Sequence, residues 1–162
     1  RPSTFGPIGA AALRTARRGC SSSLASSLAR LGALGGEQCT AAAAATFRAW
    51  HEGLDLAMRG ADPQPVLRPR LHDRCVFRPP TYYSAWTGGD ETMLLLDAVS
   101  GVFGQSFAYR RQWLSPDGLN WALEFTADIA DSGKRIDGID LVTLDDEGLI
   151  VAYSGPGRFP RP

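Results

Sequence analysis

Apolar positions change period once along this chain, and the change separates two kinds of structure. In TAAAAATFRAWHEGLDLAMRG (40–60), Phe47, Trp50, Leu54 and Ala57 recur at spacings of three and four. That spacing is one face of a helix. Ala41 to Ala45 add helix propensity, and Gly60 predicts the stop. PQPVLRPRLHDR (63–74) is punctuated by prolines and reads as turns with room for one short helical turn. CVFRPP (75–80) reads as a short strand ended by a double proline, and TYYSAWTGG (81–89) as a loop carrying Tyr82, Tyr83 and Trp86. Asp90 is a good N-cap for a second helix, DETMLLLDAVSGVF. After Gly104 the period drops to two. FAYRRQWL, NWALEFTADI, RIDGIDLVTL and LIVAYSG predict four strands, with Asp117-Gly118, Ser132-Gly133 and Glu147-Gly148 as turn pairs. Helices followed by a four-strand meander predict an α+β domain, its curved antiparallel sheet covered by the helices.

The first 36 residues follow neither pattern. Residues 1–19 have no sustained periodicity and read as extended chain. In SSSLASSLARLGALGG (21–36), Leu24, Leu28, Leu31 and Leu34 share a helical face, and Gly35-Gly36 ends it. Such a short helix needs a surface to pack on.

Charge divides the chain at the same place. Residues 1–36 hold five arginines, Arg1, Arg14, Arg17, Arg18 and Arg30, and no acid. The remaining 126 residues hold all 17 acids and 12 basic residues. The neutral total therefore hides a basic arm (1–36) on an acidic domain (37–162). Arginine, serine and alanine without acid is the composition of an organelle transit peptide. The chain begins with Arg1 and not Met, so an upstream part is expected to have been removed. No run reaches the roughly 18 to 20 apolar residues of a membrane span. Cys20, Cys39 and Cys75 are widely spaced and form no CxxC, which predicts free thiols and neither a zinc site nor another metal centre. Without a GxGxxG or a P-loop, no cofactor is expected. Five arginines without interleaved aromatics, on an acidic domain, do not favour nucleic acid.

Several phrases then point to a family. They are FRPP (77–80), the aromatic loop with Gly88-Gly89, LLLDAVSGVFGQSFAYRRQW (94–113), SPDGLNWALEFTADI (115–129), GIDLVTLDDEGLI (138–150) and RFPRP (158–162). In that order they resemble the SnoaL-like branch of the nuclear-transport-factor-2-like (NTF2-like) superfamily, over residues 40–162. The resemblance implies a cone: a strongly curved, antiparallel-rich mixed sheet wrapped around a long N-terminal helix, with a pocket at the open end. The superfamily includes cyclases, steroid isomerases, epoxide hydrolases and dehydratases, and also proteins that only bind or scaffold, some through the exposed sheet face. Fold alone therefore does not decide function.

Asp140 is the leading chemical candidate. If RIDGIDLVTL is one unbroken strand, Ile136, Gly138, Asp140, Val142 and Leu144 share a face. An acid among such neighbours has a raised pKa and suits general acid–base work. The alternative is a structural acid at a bulge near Gly138. Glu124 shares a face with Ala122, Thr126 and Asp128, turned to water or to a polar pocket. Arg110 and Arg111, as neighbours, are expected on opposite faces, so that one of them, Arg111 among the candidates, meets Glu124 or Asp140. The resemblance draws attention to this pair because epoxide hydrolases of the superfamily use an Asp–Arg–Asp set. Tyr82, Tyr83, Trp86, Trp113 and Trp121 are candidate pocket-lining residues, with the Tyr83 hydroxyl polarising a carbonyl. His51 reads as a surface or boundary residue and His72 as a bridge in the turn before CVF. Neither has a nucleophile beside it, so triad chemistry is not supported.

Two functions follow. The main expectation is a non-catalytic accessory subunit of a large organellar membrane complex, a respiratory-chain complex or ATP synthase on the matrix side of the mitochondrial inner membrane, with a plastid as the alternative. Its arm would bind neighbouring subunits, or anionic lipid headgroups, through Arg14, Arg17, Arg18, Leu24, Leu28 and Leu31. The alternative is a small-molecule isomerase, cyclase or hydrolase for a hydrophobic substrate, worked by Asp140, Glu124, Tyr83 and Arg111. That alternative predicts a deep open pocket with at least two convergent polar side chains and a carboxyl pKa raised by desolvation. The accessory-subunit expectation predicts a pocket that is filled or lacks such a pair.

Overall fold

The computed structural model describes residues 40–79, 84–103, 106–129 and 132–155. The basic arm, Tyr82, Tyr83 and the RFPRP terminus lie outside the described residues.

Helix α1 (Ala41–Met58) opens at Thr40, whose hydroxyl accepts from the Ala43 amide at 3.0 Å. That bond satisfies one of the amides a helix start leaves unpaired. Its buried side carries Ala43, Thr46, Phe47, Ala49, Trp50, His51 and Gly53, wider than the stripe the spacing predicts. His51 is therefore not a surface residue but only 6% exposed. A short helix α2 (Gln64–Leu67) and a 3-10 turn (Arg68–Arg70) lead into β1 (Leu71–Arg78), which starts four residues earlier than CVF suggests. His72 lies in this strand, where its Nδ1 accepts from the Arg74 amide at 2.9 Å. After β2 (Trp86–Thr87) and helix α3 (Gly89–Phe103) come β3 (Ala108–Leu114), β4 (Asn120–Ile129), β5 (Lys134–Leu144) and β6 (Ile150–Ser154).

Among the described residues these strands form one curved, unclosed sheet in the order β2-β1-β6-β5-β4-β3. The β1–β6 pair is parallel and the others antiparallel. This is the mixed α+β architecture expected. Its inner face packs on α1: Phe47 and Trp50 meet Leu71, Phe77, Trp121, Leu123, Val142, Ile150 and Tyr153 in one core. Phe47 sits edge-on to Trp121 at 5.2 Å between ring centres, an arrangement aromatic quadrupoles favour. The Thr46 hydroxyl donates to the Gly148 carbonyl at 2.6 Å and ties α1 to the β5–β6 turn. Gly148 has φ +79°, and a Cβ there would stand 2.8 Å from the Ala42 carbonyl carbon, so turn and helix meet only with glycine at this position.

Two register details decide what the inner face carries. The β4–β5 ladder runs without a break from Asn120↔Thr143 to Ile129↔Lys134, so β5 has no bulge at Gly138. The irregularity is in β3. Tyr109 pairs with Phe125 and Gln112 with Leu123, leaving Arg110 and Arg111 together opposite Glu124. In a regular strand Tyr109 and Gln112, three residues apart, would point to opposite faces. The bulge turns both inward, and it puts both arginines outside. The expected split of Arg110 and Arg111 between faces thus does not occur.

Candidate active site

Asp140 stands on the inner face of β5, in register with Leu123 of β4, and is 2% exposed. Leu123, Phe125 and Val142 around it are buried and apolar. A carboxylate there needs donors, because an unpaired charge in an apolar interior is costly. Two tyrosines supply them. Tyr109, on β3, reaches across the width of β4 and donates to Asp140 Oδ2 at 2.8 Å. Tyr153, on β6, hydrogen-bonds the same carboxyl from the other side. Burial pushes the Asp140 pKa up from 3.8 to about 7, with the two tyrosine bonds pulling the other way. Burial first, then the nearby Asp140 charge, raises both tyrosines well above their ordinary value. The hydroxyls therefore remain protonated donors at neutral pH.

Helix α1 completes the arrangement. Trp50 Nε1 donates to the Tyr109 hydroxyl at 3.0 Å. The next residue, His51, places Nδ1 2.9 Å from the Phe47 carbonyl and Nε2 3.1 Å from the Gln112 amide. Its ring lies against Tyr109, 5.5 Å between centres. Burial lowers the His51 pKa below 6.5. Beside Tyr109, Phe107 stacks on Phe125 at 4.9 Å and Phe103 lies 6.0 Å from Phe107, an aromatic wall at the Gly138 end of the face. A carboxyl able to hold or release a proton at neutral pH, fixed by two donors in apolar surroundings, is equipped for proton transfer.

The other candidates lie elsewhere. Glu124 is on the outer face, in a two-contact ion pair with Arg111, whose Nη2 is 3.0 Å from Oε1. The outward bulge puts Arg111 there and away from Asp140. Trp113 is on the outer face too, 47% exposed, in the same cross-strand row as Leu141 with Ala122 between them, and Trp86 is 42% exposed on the short edge strand. Trp121 faces inward, but it is core packing against Phe47 with its Nε1 donating to the Gly118 carbonyl at 2.7 Å. Residues Tyr109, Tyr153, Trp50, His51 and Gln112 were not legible as a group. They come from three separate stretches of chain, α1, β3 and β6, and the β3 bulge that aims two of them has no local sequence signal. A separate cleft of about 390 Å³ between α1 and α2, lined by Arg48, Glu52, Val66 and Arg70 among others, shares no residue with this network.

No family model matches the chain, and no curated protein does. Solved structures do. A steroid delta-isomerase from Pseudomonas aeruginosa is 33% identical, with a TM-score of 0.63 over 75% of this chain and 83% of that one. An uncharacterized cystatin-like-fold protein from Silicibacter pomeroyi is 31% identical, with a TM-score of 0.57 over 69% and 74%. An LEH-like epoxide hydrolase of M. tuberculosis, at 21% identity and a TM-score of 0.50, shares the fold. These neighbours overturn the organellar accessory subunit as the leading expectation. The inner face holds convergent polar side chains on a desolvated acid, one of the features the enzyme alternative predicts, while the cleft between α1 and α2 is not the pocket it places there. No helix among the described residues is long and apolar enough to cross a membrane. The chain belongs to the NTF2-like family that includes the P. aeruginosa steroid delta-isomerase.

Proposed function

We propose that this protein is a small-molecule isomerase that moves a double bond by proton transfer in an apolar ketone. One observation carries the reading: the Asp140 carboxyl is buried among apolar side chains and accepts from Tyr109 at 2.8 Å, a setting that pushes its pKa up to about 7. A carboxyl near 7 takes a proton from carbon with more driving force than an ordinary aspartate at 3.8. A carboxyl matched to neutral pH takes the proton beside the carbonyl and returns it at another carbon. The apolar walls, Phe107 and Phe125 among them, favour a substrate without charge. The name of the 33% identical relative, a steroid delta-isomerase, supports the same reaction class. Arg110 and Arg111, turned outward, argue against a hydrolase built on an Asp–Arg–Asp set.

The test is isomerisation of a β,γ-unsaturated steroid ketone, followed by ultraviolet absorbance of the conjugated product and by exchange of the migrating proton with deuterated water. We expect turnover by the wild type, with kcat/KM rising through about pH 7 as Asp140 ionises. Asp140→Asn should lose roughly 10²- to 10⁴-fold. Equal rates in the two proteins, or no exchange by the wild type, would refute the proposal.

A further inference from the structure

We propose that the cleft of about 390 Å³ between α1 and α2 binds a small organic monoanion, a carboxylate or sulfonate carried on an apolar body. One wall is a single face of α1. Ala45, Arg48, Ala49 and Glu52 follow one another there at spacings of three, one and three, which a helix turns to the same side. Phe47, Trp50 and His51, on the other side, are buried. The second wall is Pro65 and Val66 of α2 with Pro69 and Arg70 of the 3-10 turn. The two walls touch at Gly53, where a Cβ would stand 2.3 Å from Leu67 Cγ. One and two turns back along α1, Ala49 and Ala45 carry only methyl groups, and there the space opens. Its shape is fixed in advance. Proline holds the backbone at 65 and 69, and Leu71, paired with Ile150, anchors the end of the turn that carries Arg70.

The charges on the walls call for an anion. Among the described residues, Arg48 and Arg70 make no ion pair and no side-chain hydrogen bond. Other arginines nearby are engaged: Arg68 holds Asp73 at 2.8 Å and also Asp90, and Arg59 holds Asp55 at 3.1 Å. Glu52 stands four residues from Arg48 on the same face, yet these two form no ion pair either. Two guanidiniums and one carboxylate leave one positive charge uncompensated. A monoanion completes the set, whereas the second charge of a dianion would face Glu52 without a partner. A guanidinium fork also matches the two oxygens of a carboxylate. The alanines, the prolines and Val66 line the remaining space with apolar surface. At roughly 30 Å³ for each water-sized group, the cleft holds a ligand of about a dozen non-hydrogen atoms. Residues 1–36 hold no acid and do not supply the charge.

The test is a binding measurement and needs no turnover, so its outcome is separate from that of the isomerisation assay. The whole chain, labelled with ¹⁵N, is titrated at low salt with three probes that share one body: sodium octanoate, 1-octanol and octyl phosphate, a dianion above about pH 6. Arg48→Gln and Arg70→Gln assign the two arginine Nε–H signals. We expect both signals to follow one saturating curve with octanoate, while the Trp50 indole signal, across α1, stays still. Each variant should weaken octanoate roughly 10- to 100-fold, the loss of one charge-assisted contact. Octanol should leave the arginine signals unmoved. Octyl phosphate should bind more weakly than octanoate, and Glu52→Gln should narrow that gap. Ala45→Leu, which fills the cleft from a half-buried position and keeps both arginines, should block octanoate. Arginine signals that do not move by about 10 mM octanoate would overturn the proposal. So would wild-type affinity in either arginine variant, octanol binding as well as octanoate, or a dianion preferred over the monoanion.

Discussion

His51 shows how burial sets the state of a single side chain. Its Nδ1 faces the Phe47 carbonyl, which only accepts, so Nδ1 carries the hydrogen. In a neutral ring Nε2 is then an acceptor. The Gln112 Oε1 that lies 3.1 Å from it only accepts, so a half-turn of the amide, which exchanges Oε1 and NH₂, gives the donor this bond needs. Burial lowers the His51 pKa, which keeps the ring in this neutral form at pH 7. Gln112→Glu would set a carboxylate against Nε2 and favour the imidazolium. We expect the His51 midpoint, read from its ring Cε1 proton signal, to rise above 6.5 in that variant. An unchanged midpoint would mean that the two side chains do not meet in solution.

Strand β3 is where an element as a whole does the positioning. Its two-for-one bulge lets Tyr109 reach Asp140 and Gln112 reach His51 from the same strand. Shifting a strand by one residue exchanges its two faces. Deleting Arg111 would regularise the ladder and turn either Tyr109 or Gln112 outward. Loss of isomerisation as deep as that of Asp140→Asn is expected from the deletion. Arg111→Ala, by contrast, removes only an exposed partner of Glu124, and its rate should stay near wild type. A dead Arg111→Ala variant, or an active deletion, would show that the bulge is not what aims these side chains.

At the scale of the molecule, the buried groups oppose one another in how stability depends on pH. The folded pKa of Asp140, about 7, exceeds its ordinary 3.8. Across that window the native state keeps a proton that the unfolded chain has released, so stability falls as pH rises. The contribution is complete below pH 3.8 and lost by about 7, about 4 kcal/mol at about 1.36 kcal/mol per pKa unit. His51 acts the other way. Its folded pKa lies below 6.5, so its contribution is full above 6.5 and lost as pH falls. The lowered Asp73, Asp117 and Glu124, held down first by Arg68, Ser115 and Arg111 respectively, also favour the folded state away from acid. Asp140→Asn removes the acid-favouring group. Urea unfolding should find this variant more stable than the wild type at about pH 8, with the advantage vanishing toward pH 4. A variant less stable than the wild type at about pH 8 would show that ionised Asp140 is not a cost to the fold. The site is thus held at the expense of stability, as acids poised for chemistry often are.

What the sequence by itself determined is local. Spacing of apolar positions placed α1, α3 and the four strands of the meander, because amphipathic periods follow from backbone geometry. The same alternation put Asp140 on one face with Gly138 and Val142, since an unbroken strand leaves no other choice. The tertiary structure decided what that face meets. Strand β1 begins early because its pairing with β6 starts at Leu71↔Ile150, a partner 79 positions along the chain that no window of sequence displays. His51 is buried because the curved sheet covers more of α1 than its Phe47–Trp50 stripe. Trp113 faces outward while Tyr109 faces inward because of one bulge in β3 fixed by pairing with β4, whereas Glu124 simply follows the alternation of β4. Asp140 acquired its two donors only when β3, β5 and β6 came together over α1. A side chain's partners are set by long-range packing, while its own strand sets only the direction in which it points.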